Sequence, residues 1–155
     1  MQVRPLRSTP LLDAFVLDRA VGELMAVALA DLELDGPDYA MLSAILLTPG
    51  TTATELAGRF GIPLTTMSDW LASAARRGWV VKERGRTDQR RQEVRLTRAG
   101  QRIHDRAYDA FGLGYVRVLA HLERDPDEVQ AVLQDLMTAV RAAASELRQE
   151  RPSPR

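Results

Sequence analysis

A chain of 155 residues with 21 basic and 21 acidic side chains has no net charge, and at 45% hydrophobic and 27% charged it reads as ordinary globular material. It has no cysteine, which excludes disulfides, thiolate metal sites and cysteine redox chemistry. The first residues hold no apolar signal core and no run approaches the ~18 apolar residues of a membrane span, so the expectation is a cytoplasmic protein with no membrane partner.

From Leu11 to about Leu32, apolar residues recur at helical spacing. The segment "LDGPDYA" breaks that helix at Gly36 and starts a second, with Pro37 acceptable in its first turn; this helix stops at "TPG". Thr51 or Thr52 then caps a short helix, "ATELAGRF", with Glu55 three residues after Thr52 as in a capping box, and Gly61 ends it. A fourth helix, "IPLTTMSDWLASAARRG", closes at Gly78 with Arg76 and Arg77 in its last turn, where cations suit the helix dipole. "WVVKER" reads as a strand, "GRTDQRR" as a turn and "QEVRLT" as a returning strand with Val94 and Leu96 on one face. Two long helices finish the chain, one from near Thr97 and one from Asp125-Pro126, before a frayed "RPSPR". Two short helices joined at a glycine, followed by a basic hairpin, make a winged helix-turn-helix.

The zero net charge conceals an asymmetry. Between Arg76 and Arg106 lie eleven basic and four acidic residues, leaving ten basic and seventeen acidic on the rest of the chain. A charge run is often a solvated face, but a basic segment on an acidic body also has the character of a phosphate-binding surface.

The run "TATELAGRFGIPLTTMSDWLASAARRGWVVKERGRTDQRRQEVRLTRAG" resembles the winged-helix core of the MarR family, the multiple antibiotic resistance regulators. The "ELA" helix, the "GI" turn, the glycine after the fourth helix and the ordered set Asp88-x-Arg90, Leu96-Thr97 and Ala99-Gly100 carry the resemblance, which covers about residues 36–104. It implies a mainly α fold: a winged helix-turn-helix with a small β-hairpin wing, plus N- and C-terminal helices forming a dimerisation domain. It also implies a homodimeric regulator of transcription on double-stranded operator DNA, whose fourth helix enters the major groove while the wing reaches the neighbouring minor groove. The corresponding division of the chain is 1–35 and 98–150 for dimerisation, 36–97 for DNA binding and 151–155 as a disordered tail.

A hairpin tip is slim enough for a minor groove ~6 Å wide, and the weakly hydrated guanidinium suits its electronegative floor. Arg90 is accordingly the expected groove probe, with Asp88 hydrogen-bonded to an arginine and fixing its direction. Arg86 and Arg91 are expected on phosphates or in the groove; Arg84 and Arg95 lie further down the strands. In the fourth helix, Leu64, Thr65, Thr66, Ser68 and Asp69 are expected to face the DNA, with Met67 and Leu71 buried. Two positions depart from the family pattern. Pro63 stands where a capping Ser or Thr is usual, so that cap must be replaced or lost, and Asp69 stands where an arginine is common. Asp69 could accept from cytosine N4 or be a plain helix-surface residue.

Trp70 and Trp79 read as packing residues in preference to ligand-stacking ones. The terminal helices carry apolar stripes too large for so small a winged core, so they are expected to pack across a two-fold axis, which predicts a pseudo-palindromic operator. Gly112 and Gly114 either admit another helix closely or permit a bend. Family members often bind a small aromatic or phenolic effector, and His104 and Tyr108, one turn apart on the helix leaving the wing, are the candidate contacts beside the plainer reading of a hydrogen-bonded boundary histidine. His104 and His121 are the only histidines and lack metal-ligand spacing, and no phosphate loop or catalytic constellation stands out. The expectation is a repressor with no cofactor, no metal and no catalysis. The rival readings are a winged-helix protein-interaction module and a nonspecific DNA-architectural protein.

Overall fold

The computed structural model describes residues 9–85 and 90–150. Its elements run α1 (Pro10–Ala28), α2 (Gly36–Leu47), α3 (Ala53–Phe60), α4 (Leu64–Arg76), β1 (Val80–Arg84), β2 (Gln92–Leu96), α5 (Arg98–His121) and α6 (Pro126–Glu150). The chain forms two compact units that divide after Gly114, inside α5.

In the first unit the local chemistry of each boundary is visible. Asp35 caps α2 by accepting the Asp38 N–H at 2.8 Å, ahead of Gly36 and Pro37. Thr52 and Glu55 make the full reciprocal capping box of α3. Gly61 closes α3 at φ 66°, a left-handed conformation that glycine adopts without steric cost, and this turn sets α4 across α3. Pro63 at the start of α4 supplies no side-chain cap and no other side chain among the described residues replaces it, so of the two expected outcomes the cap is lost. Thr97 accepts the Gly100 N–H and opens α5. A Cβ on Gly100 would collide with the Trp79 carbonyl, so glycine is required where the first turn of α5 meets the backbone just before β1.

The core gathers Leu42 and Ile45 of α2, Leu56 of α3, Met67, Leu71 and Ala74 of α4, then Trp79, Val80, Val94 and Ala107. Burying each large apolar side chain in it contributes about 1.5–3 kcal/mol. β1 and β2 pair antiparallel from Val80↔Leu96 to Arg84↔Gln92, and Thr52 adds an isolated bridge to Glu93. The Val94 N–H donates to the Thr51 carbonyl at 2.8 Å, which fastens the wing's base to the start of α3.

Helix α1 stops at Ala28, short of the expected Leu32. Leu29 and Leu34 are both buried, and the chain must leave the helical path to turn both inward; tertiary burial overrides the periodicity there. A Cβ on Gly114 would sit 3.4 Å from Leu24 of α1, an ordinary van der Waals distance, and one on Gly112 would meet nothing within 4 Å.

The second unit holds the end of α5 and all of α6. In the single chain α6 buries none of its side chains, and Val132, Leu133, Met137, Val140 and Leu147 form an exposed apolar stripe. The expected tail, 151–155, lies outside the described residues.

Candidate functional site

The candidate site is built on α4. Its sequence alternates so that Met67 and Leu71 fall wholly inside while Leu64, Thr65, Thr66 and Asp69 are exposed and Ser68 is half-buried. The buried side fixes the helix on the core, and the expected reading residues lie on its outer side. Thr65, Thr66 and Asp69 look outward. Leu64 and Ser68 line an open cleft, whose other walls are Thr52 and Glu55 of α3 and Lys82 and Arg91 of the wing.

Of the wing residues singled out in the sequence, Arg84, Arg90 and Arg91 are exposed on the two arms of the hairpin. Arg86 and Asp88 lie outside the described residues, and so does the expected contact between Asp88 and an arginine. Arg91 has an internal partner that sequence reasoning missed: its Nη2 donates to Glu55 Oε1 at 2.6 Å. Glu55 Oε2 meanwhile accepts the Thr52 N–H at 2.9 Å. That backbone bond first, and Arg91 further, hold the Glu55 carboxyl below its ordinary range, so it is an anion near neutral pH.

Arg95 is committed to the wing itself. Glu83 and Glu93 stand directly opposite each other in the β1–β2 register, a pairing that like charges make unfavourable. Arg95 resolves it, with its guanidinium 2.9 Å from Glu93 and 3.4 Å from Glu83. The hydrogen bond to Glu93 leads in raising its pKa further, so the bridging charge is permanent.

A buried polar cluster sets α4 against α2. Asp38, only 6% exposed, accepts hydrogen bonds from Trp70 Nε1 at 2.7 Å and from Arg77 Nη1 and Nη2 at 2.8 and 3.2 Å. The Arg77 guanidinium also lies over the Trp79 ring, 3.9 Å from its centroid. Trp70 and Trp79 are therefore structural, as expected, with Trp70 in addition using its indole N–H. Asp38 escaped the sequence reading because it sits in a first helical turn, where an acid is already accounted for by the dipole. Arg77 was accounted for in the same way, and 39 residues separate the two.

His104 and Tyr108 do meet, their rings 6.4 Å apart at 26°. His104 is buried, 3.1 Å through Nε2 from Ser43 Oγ, and stacks on Tyr39 at 5.4 Å. Ser43 Oγ also donates to the Tyr39 carbonyl at 2.8 Å, and the other ring nitrogen of His104, Nδ1, lies 3.4 Å from Asp105 Oδ1. Burial leads in pushing the Tyr39 phenol above its ordinary pKa, which keeps it neutral. Tyr108 is 62% exposed and forms the outer side of this aromatic group. Among the described residues no cluster of three or more His, Cys, Asp or Glu could hold a metal ion, and no helix is long and apolar enough to cross a membrane.

Comparison with known proteins places this arrangement. The sequence model of the MarR family matches residues 32–91. The PcaV transcriptional regulator of Streptomyces coelicolor, solved with its natural ligand, is 31% identical over 93% of this chain and 99% of its own, with a TM-score of 0.66. The M. tuberculosis transcriptional regulator MosR, solved with DNA, is 25% identical over 88% of this chain and 98% of its own, with a TM-score of 0.74. The transcriptional repressor CouR, bound to a 23-mer DNA duplex, is 26% identical over 88% of this chain and 99% of its own, with a TM-score of 0.67. A search of curated proteins finds no significant match.

Proposed function

Since the chain belongs to the MarR family of winged helix-turn-helix transcriptional regulators, we propose how its own residues carry that work. It is a cytoplasmic repressor that binds a pseudo-palindromic operator as a homodimer and performs no catalysis. Helix α4 enters the major groove with Thr65, Thr66 and Ser68 toward base edges and phosphates, Asp69 toward a cytosine amino group, and Leu64 toward a thymine methyl. The wing enters the adjacent minor groove, with Arg90 as the probe, Arg84 and Arg86 beside it and Asp88 orienting an arginine. The exposed apolar stripes of α1 and α6 are covered in the dimer, and the two-fold axis sets two reading heads about one DNA turn apart.

The single observation that supports this most is the division of α4: a fully buried Met67–Leu71 side and a polar outer side next to an exposed arginine hairpin. An interaction module has no need for that pairing of a polar helix face with a basic wing. The DNA-bound relatives MosR and CouR support the same reading.

PcaV, solved with its natural ligand, supports an effector, which we take to be a small aromatic or phenolic compound meeting His104 and Tyr108. It acts by preferring the dimer whose reading heads are wrongly spaced, lowering operator affinity by its differential binding to the two states.

The test is binding to labelled duplexes at two salt concentrations, using a palindrome that the protein itself selects from a randomised pool. A regulator prefers it by ~10³-fold or more over random DNA. A salt slope without preference identifies an architectural protein, and neither property an interaction module.

A further inference from the structure

Glu55 and Arg91 face each other in the cleft that separates α3 and α4 from the wing. If α4 occupies a major groove and the wing the adjacent minor groove, one phosphate backbone has to pass over this cleft. Its walls suit a phosphate in every respect but one: Thr52 and Ser68 offer hydroxyls and Lys82 a cation, yet the Glu55 carboxylate stands among them.

The two partners are held unequally. Both Glu55 oxygens are engaged, one by the Thr52 N–H at 2.9 Å and one by Arg91 at 2.6 Å, so the anion is anchored to the α3 backbone. Arg91 is a long side chain just before β2, and it reaches Glu55 through one guanidinium nitrogen. Both side chains are about half exposed, at 47% and 52%, so the pair is screened and opens readily. A phosphate seated in the cleft would compete for Arg91 at short range, whereas a loosely apposed backbone would not.

We propose that Glu55 is a specificity-determining residue. It sequesters the Arg91 charge in the free protein and in loose encounters with arbitrary DNA, and releases it only when a correctly docked duplex seats a phosphate in the cleft. Nonspecific affinity is essentially the sum of phosphate contacts, so a basic side chain neutralised internally is subtracted from wrong complexes and restored in the right one. This rests on the DNA-binding reading above.

The experiment uses Glu55→Gln, whose amide oxygen can still accept the Thr52 N–H, together with Arg91→Gln and the double variant. The probes are a random-sequence duplex and the palindrome selected by the wild-type protein. Glu55→Gln is expected to bind random duplex roughly 3–10-fold tighter, with a log–log salt slope steeper by about 0.9, and to tighten the palindrome by the smaller factor that opening the weak pair costs, less than about two-fold. With Arg91→Gln also present, the steeper slope is expected to vanish. Arg91→Gln alone is expected to leave random-duplex binding unchanged and to weaken the palindrome about 3–10-fold, with a slope shallower by about 0.9.

A random-duplex slope unchanged by Glu55→Gln overturns the proposal. So does a slope steepened equally with and without Arg91, which would mark a plain charge effect. Should Glu55→Gln fail to fold, Arg91→Gln decides alone, an equal loss on both duplexes being the overturning result. A wild-type protein with no salt-dependent DNA binding overturns the DNA-binding reading as well, whereas the other failures leave it standing.

Discussion

Asp38 and Arg77 stand 39 residues apart in the sequence and 2.8 Å apart in space, joining the first turn of α2 to the residue that caps α4. Trp70 shares the same carboxylate, so a single buried group holds α4 at two points one and a half to two turns apart. The tilt of α4 thereby depends on a residue that is itself far from any outward-facing position.

Replacing Asp38 by Ala strands the Trp70 N–H and the Arg77 guanidinium. Unfolding in urea is expected to show a loss on the order of 1–3 kcal/mol, discounted from the fully buried case because Arg77 is 37% exposed. Asp38→Asn, which keeps an acceptor for Trp70, falls between the two. Since α4 loses its setting, DNA affinity in both variants drops further than the residual folded fraction explains. A stability equal to wild type in Asp38→Ala contradicts the assignment.

Arg95→Met leaves Glu83 and Glu93 opposed without a bridging cation. The wing is expected to loosen, read as faster amide hydrogen exchange across β1 and β2. Exchange as slow as in the wild-type protein would show that Arg95 does not hold this pair together.

The lowered pKa of Glu55 has a definite linkage sign. Its folded value lies below the unfolded one, so the stabilisation is fully present above the ordinary carboxylate range and disappears as pH falls through the depressed folded value. Carboxyl carbon NMR shifts are expected to titrate Glu55 below an unperturbed glutamate, first because of the Thr52 N–H and further because of Arg91. Arg91→Gln is expected to return only the smaller part of that shift, while Thr52→Pro, which deletes the N–H, returns the larger part.

Phe15 is 67% exposed on α1 in the single chain, beside Leu11, Leu12 and Val16. Phe15→Asp is expected to convert a dimer to monomer in sedimentation and, by separating the two reading heads, to cost operator affinity by orders of magnitude while retaining helical content. An unaltered dimer would exclude this stretch of α1 from the interface.

Arg90→Ala is expected to weaken operator binding by roughly 1–3 kcal/mol if the side chain reads the groove, with the loss depending on the sequence opposite the wing. A uniform loss across sequences would reassign Arg90 to a phosphate.

Much of this molecule is legible locally. The capping box at Thr52 and Glu55, the Gly61 turn, the buried Met67 and Leu71 within an otherwise polar helix and the strands on either side of the arginine turn all follow from patterns a few residues long. The end of α1 did not follow, because Leu34, five residues after the buried Leu29, obeys the core and not the helical period. His104 and Tyr108 were paired by one-turn spacing, but Ser43 and Tyr39, which complete their cluster, come from another helix and carry no signature.

Sequence alone determined the order of elements, the capping box of α3, the polar face of α4 and the concentration of arginine after it, because each is decided by neighbours within one or two turns. Tertiary structure decided what the charges do: Asp38 is tied to Arg77, Arg95 to two glutamates and Arg91 to Glu55. An ion pair depends on the distance between two side chains after folding, and composition counts charges without saying which of them the fold has already brought together.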